Sequence, residues 1–207
     1  MAIERATDED PAAATAGVAT PEVAAASLVD RLEGRHVVLV GLMGVGKTSV
    51  GKRLAQSLDL PFSDADHAIE EAAGMTIPEI FERYGEPHFR DREAKVIARL
   101  LAGAQCVLAT GGGAFMNERT RAVIAERAVS VWLRADLETL MRRVKRRQDR
   151  PLLKVADPEA RMRELMAERD PVYATADVDV ASHDGPHESA VEATIAALEA
   201  HLARRAR

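Results

Sequence analysis

The 207-residue sequence predicts an α/β fold of three layers, α/β/α, with helices on both faces of a central parallel sheet of five strands. Three observations predict it. Short apolar runs without alternation, Val37-Val38-Leu39-Val40 first among them, suit strands buried on both faces. Stretches with apolar residues at helical spacing separate those runs. Two of the runs pass straight into glycine-rich loops, and sheets of this kind bind ligands beyond the carboxyl ends of their strands.

The elements follow in order. Residues 1–20 are rich in Ala, Thr and acids without a periodic apolar face, which predicts a disordered arm. Residues 21–33 suit a short helix that Gly34 ends, so the arm is drawn over 1–33 and one domain over 34–207. After the strand at 37–40, Val50, Leu54 and Leu58 recur as a helix face. Leu60-Pro61-Phe62 reads as the end of a second strand. Helices are expected at 66–73, 77–84 (Pro78 suits a first turn) and 90–102. Cys106 to Ala109 is the next buried strand, followed by a helix at 117–127 and a strand at 129–133. Helices at 137–147 and 158–169, a strand at 178–181 and a helix at 187–203 complete the chain.

Composition narrows the function classes. The net charge of -5 gives no global attraction to nucleic acid or anionic lipid, and 3% aromatics make a poor stacking platform for single strands. No apolar run approaches the roughly 20 residues that span a bilayer. The acidic start (Glu4, Asp8, Glu9, Asp10) is unlike a signal peptide. One cysteine, Cys106, makes no internal disulfide, which fits a reducing cytoplasm, and its apolar neighbours make it a buried hydrophobe rather than a nucleophile.

Gly41-Leu42-Met43-Gly44-Val45-Gly46-Lys47-Thr48 matches G-x-x-x-x-G-K-[ST] in full, between a strand and a helix. The glycines let successive N–H groups turn inward, and the helix that follows adds its positive end. Lys47 supplies a mobile charge for the β- and γ-phosphates, and the Thr48 hydroxyl a ligand for Mg²⁺.

Asp64-Ala65-Asp66 at a strand end has two readings. The carboxylates divide labour between Mg²⁺, through water, and a hydroxyl proton, or they cap the next helix. Arg90, in Phe89-Arg90-Asp91-Arg92-Glu93, is either a carboxylate fork or a solvated helix charge. Gly111-Gly112-Gly113 costs chain entropy, so close approach of backbone to a ligand explains it better than a plain turn. His67 and His88 lack metal-ligand spacing. Six cations between Arg142 and Arg150 make a solvated helix face or a nucleic-acid stripe, and they end in Arg150-Pro151-Leu152-Leu153, which suits a segment closing over ATP.

With these motifs assembled, the chain resembles the shikimate kinases, in the nucleoside-monophosphate-kinase-like group of P-loop proteins. The resemblance runs from about Arg35 to about Val180. It rests on the Gly41–Thr48 loop, Asp64-Ala65-Asp66, Phe89-Arg90 with Glu93, Gly111–Gly113, and Arg150–Leu153 joined to Arg169-Asp170-Pro171-Val172-Tyr173, in the family's order. It implies transfer of phosphate from ATP, with one Mg²⁺, to the 3-hydroxyl of shikimate, on the route to chorismate and the aromatic amino acids. Carried over, Gly44, Val45, Gly46, Lys47, Thr48 and Ser49 bind ATP, with Arg143 against adenine and Arg150 as the arginine of a lid at about 148–162. Asp66 binds the acceptor hydroxyls and is the base; Arg90 and Arg169 hold the carboxylate, and Gly111, Gly112 and Gly113 line the acceptor. Thr48 ligates Mg²⁺ and Asp64 acts through water. Lys47, Asp66 and Arg150 form the catalytic set, and the expected protein is a cytoplasmic monomer without nucleic-acid or membrane partners. The rivals are a kinase of the same fold acting on gluconate or a nucleoside monophosphate, and a nucleotide-binding regulatory module using the basic run.

Overall fold

The computed structural model describes residues 28–145, 153, 155–183 and 185–205. Five strands form one sheet: β1 (His36–Val40), β2 (Phe62–Asp64), β3 (Val107–Ala109), β4 (Ala128–Arg134) and β5 (Val178–Ala181). Their spatial order is β2-β3-β1-β4-β5, and every pairing is parallel. β1 lies in the middle, so all five of its residues are buried, and its unbroken apolar run is what that place requires.

A helical segment over residues 28–32, α1, precedes the sheet. The other helices are α2 (Lys47–Ser57), α3 (Ala65–Ala73), α4 (Ile77–Leu101), α5 (Glu118–Arg127), α6 (Leu137–Lys145), α7 (Pro158–Tyr173) and α8 (His187–Arg205). They flank the sheet as the period-3.6 segments predict. Leu28 and Leu32 are fully buried in the main core, and Arg31 Nη2 donates to the Glu199 carbonyl at 3.0 Å. The last turn of the expected arm is thus packed into the body. The expected lid ends inside α7, whose first turn Asp157 caps through the amides of Glu159 and Ala160.

Three boundaries differ from the sequence reading, each for a local reason. β2 begins at Phe62 because Pro61 has no N–H for the ladder; its carbonyl still accepts from Val107. The helices expected at 77–84 and 90–102 are the two halves of α4, divided at Gly85 (φ 79°, ψ 169°), and the second starts before residue 90 because Pro87 suits its first turn. α7 runs past Pro171 to Tyr173, since that proline forfeits one backbone bond while Arg169 and Tyr173 remain buried.

The apolar residues divide into two clusters. The main one fills both faces of the sheet; a smaller one of Ile69, Ile80 and Phe89 holds α3 against α4. The acceptor side of the molecule therefore has its own small core.

At the amino end of the sheet, His36 is 3% exposed. The Cys106 amide donates to Nδ1 at 3.2 Å, so the ring proton sits on Nε2, which donates to the Leu101 carbonyl at 3.1 Å. Burial holds the pKa of His36 below 6.5 and Arg127 adds to the effect, against the Leu101 bond. The unfolded chain therefore takes up a proton that folded His36 resists. Stability is whole above about pH 6.5 and falls as pH drops from there through the lower folded pKa. The urea midpoint is expected to decline more steeply between pH 7 and 5 in the native protein than in His36→Gln. Equal slopes would remove His36 from the account. Glu93, whose pKa burial raises above 4.5, works with the opposite sign as pH falls, so the difference between the two proteins is the quantity to read.

Candidate active site

Strand register sets the site. Leu39 of β1 and Asp64 of β2 both pair with Ala109 of β3, so three loops leave the sheet at one level. They are the Gly41–Lys47 loop, the Asp64–Asp66 turn and the Gly111–Gly113 loop.

In the first loop Gly46 caps α2 with φ 103°, a conformation that side chains disfavour. The Lys47 ammonium lies within its own loop, donating to the carbonyls of Gly41 at 2.7 Å and Leu42 at 2.9 Å. The Thr48 hydroxyl donates to Asp64 Oδ2 at 2.8 Å. Asp64 Oδ1 accepts from the amides of Asp66 at 3.1 Å and His67 at 3.4 Å. The capping reading of Asp64 holds: Oδ1 caps α3, while Oδ2 takes the Thr48 hydroxyl of the phosphate loop.

Two cavities adjoin here. One, of about 280 Å³, is bounded by Gly44, Gly46, Lys47, Thr48, Ser49 and Arg143. The other, of about 450 Å³, holds Asp66, Arg90, Glu93, Arg169 and the three glycines, with Phe81 and Phe89 on an apolar wall. Met43, Thr48, Asp64, Asp66 and Gly112 line both. A phosphate chain in the first and a polyol carboxylate in the second would meet across Thr48 and Asp66.

The second glycine loop has a steric purpose the sequence does not reveal. A Cβ on Gly111 would stand 2.5 Å from Glu93 Oε1 and 2.7 Å from Asp66 Oδ1, and one on Gly113 would stand 2.5 Å from Arg90 Nη2. Gly111 and Gly113 admit the charged side chains of neighbouring elements, a role separate from the approach of a ligand to the backbone that the sequence suggests.

Arg90 is held on two sides. Nη1 donates to Glu93 Oε2 at 2.7 Å, and Nε and Nη2 donate to Glu86 Oε1 at 3.2 and 3.0 Å. Burial opposes its charge, but the carboxylates of Glu93 and Glu86 outweigh that and raise its pKa. Glu93 is 1% exposed, its Oε1 has no hydrogen-bond partner, and burial, with Asp66 adding, pushes its pKa up against the pull of Arg90. Arg169 donates from Nη1 to the Gly112 carbonyl at 3.0 Å, while its buried Nε is unpartnered. Such an orphaned donor is costly unless a ligand answers it.

Arg143 donates from Nη1 to the Val45 carbonyl at 3.1 Å and the Ser182 hydroxyl at 3.0 Å, and from Nη2 to the His183 carbonyl at 2.7 Å. It ties the phosphate loop to the β5–α8 connection at the mouth of the smaller cavity. Arg150, with residues 148–152 of the expected lid, lies outside the described residues. Every other expected site residue lines one or both cavities except Val45, which is buried, its carbonyl taken by Arg143 and Ser182. Sequence reasoning left Glu86 unremarked and gave Glu93 no role, although their spacing from Arg90, four and three residues along one helix, was visible. It gave no role to Tyr173 or Ser182, whose contacts are long-range and leave no local pattern.

Comparison with known proteins places this geometry. The shikimate kinase family model matches residues 43–199. The shikimate kinase of Bradyrhizobium diazoefficiens is 61% identical over 184 residues, 89% of this chain and 87% of that protein. The structure of Acinetobacter baumannii shikimate kinase in complex with shikimate matches with a TM-score of 0.79 at 37% identity, covering 84% of this chain and 97% of that one. A gluconokinase from Sinorhizobium meliloti, with a TM-score of 0.56, 18% identity, and 83% and 95% of the two chains covered, shares the fold alone.

Proposed function

The chain belongs to the shikimate kinase family, and from that premise we propose that it transfers the γ-phosphoryl group of ATP to the 3-hydroxyl of shikimate, giving shikimate 3-phosphate and ADP. The observation that carries the reading is the shared wall: Asp66, Arg90 and Arg169 stand in a cavity that meets the phosphate loop at Thr48.

Shikimate offers one carboxylate and adjacent hydroxyls. Arg90 and Arg169 take the carboxylate, and the orphaned Nε of Arg169 supports that role. Asp66 binds the acceptor hydroxyls and accepts the proton as the O–P bond forms. Gly111–Gly113 line the acceptor, with the Gly112 backbone hydrogen-bonding it. Gly44 to Ser49 hold the phosphates, Lys47 and Arg150 offset the charge that develops on them, and Arg143 lies beside the base. The Thr48 hydroxyl and, through water, the Asp64 carboxylate form a hard-oxygen set that suits Mg²⁺. Held there, the ion would supply positive charge to neutralise the phosphates of ATP.

The domain includes the helical segment 28–32 packed into its core and has its lid at about 148–162, and the protein acts as a cytoplasmic monomer. Among the described residues no helix is long and apolar enough to cross a membrane. The nucleic-acid reading loses ground because Arg143, one of its cations, is spent on the site, and Arg142 faces Glu138 at 3.7 Å.

ADP release measured with shikimate, gluconate and a panel of nucleoside monophosphates tests the assignment. Turnover is expected with shikimate at least about 100-fold above the others in kcat/KM. Gluconate and the nucleotides also bring an anionic group to Arg90 and Arg169, so the discrimination falls to the hydroxyl contacts of Asp66 and the Gly111–Gly113 loop. Equal or greater turnover on gluconate overturns it.

A further inference from the structure

Tyr173 ends α7, fully buried, its ring stacked between Phe115 (centroids 6.3 Å apart) and Trp132 (6.0 Å). Its hydroxyl donates to the Gly112 carbonyl. Arg169, one helical turn earlier, donates to the same oxygen. A carbonyl oxygen has two lone pairs, and here both are taken. Burial raises the pKa of the phenol, so it stays a donor at any working pH. Gly112 itself lines both cavities and packs against the phosphate loop, for a Cβ there would stand 3.2 Å from the Met43 nitrogen.

We infer that Tyr173 is a positioning residue for the acceptor. Its hydroxyl fixes the Gly112 peptide between the two cavities. By sharing that oxygen with Arg169 it also settles how the guanidinium lies, with Nη1 spent on the loop and the edge bearing the orphaned Nε left for a carboxylate. Tyr173 touches no substrate; it acts through Gly112 and Arg169. The inference rests on the shikimate reading above.

Tyr173→Phe keeps the ring stack and removes one hydroxyl. Acceptor KM is expected to rise about tenfold, with kcat and the KM for ATP within about twofold, the pattern of lost positioning in binding. Trp132, the only tryptophan in the sequence, gives a readout free of turnover. Titrated with shikimate alone, its emission change is expected at concentrations about tenfold higher in the variant than in the native protein. Trp132→Phe disturbs the stack and spares the hydroxyl, so its acceptor KM should stay within about twofold of native. Three outcomes overturn the inference: an unchanged acceptor KM in Tyr173→Phe, a parallel shift of all constants with a fallen melting temperature, or an equal rise in Trp132→Phe. A native protein inert towards shikimate would instead overturn the reading beneath it.

Discussion

Lys47→Ala is expected to lower turnover by about 10³-fold while the protein stays folded. Lys47 starts α2 and is 9% exposed, so its charge acts in a site with little water to screen it. The ammonium holds two carbonyls of its own loop, Gly41 and Leu42, and thereby the curvature of the cradle. Alanine removes both the charge that meets the γ-phosphate and the brace that shapes the loop. Each unpaired carbonyl costs about 1–3 kcal/mol if water does not reach it, which is bearable for a core anchored on five strands. Steady-state kinetics beside circular dichroism check the result. A folded variant retaining a tenth of native turnover would contradict the assignment.

Asp66→Asn is expected to lower kcat by about 10²–10⁴-fold, the range for a general base, with the KM for ATP little changed. The amide matches the carboxylate in shape, so it still orients an acceptor hydroxyl but takes no proton. Asp66 lies in the first turn of α3, and losing its charge there costs about 0.3–1 kcal/mol, too little to confuse the readout. Asp66 is also one of the influences raising the Glu93 pKa, so neutralising it should relax that shift. Rapid-quench measurement of a single turnover separates chemistry from release. Near-native phosphoryl transfer in this variant would show that the acceptor loses its proton elsewhere.

The layers, the parallel sheet and the phosphate loop were legible because they rest on local signals. Val37–Val40 needs no alternation when both faces are covered, and the glycine-lysine-threonine loop is contiguous. The acceptor half was legible only as fragments. Asp66, Arg90 and Arg169 come from three helices, and nothing short of their motif order joined them. What stayed hidden depended on contacts far apart in sequence. His36 and Cys106 are 70 positions apart, and their pairing exists only because β1 and β3 are neighbours. Glu93 looks like a surface helix charge until α3 and the second glycine loop close over it. The Gly85 break was legible as the end of the helix expected at 77–84; what was not legible is how soon the next begins, with Pro87 in its first turn.

The place of β1 at the centre of the sheet has a consequence for how the molecule breathes. Its backbone bonds lie between β3 and β4, so they open only when the sheet as a whole comes apart. β2, three residues long and at the edge, is released for much less, and the acceptor helices hang from it with a small core of their own. Amide exchange would therefore grade the two halves of the site differently. The nucleotide grip inherits the persistence of the whole domain, and the acceptor half exchanges on the faster clock of a local opening.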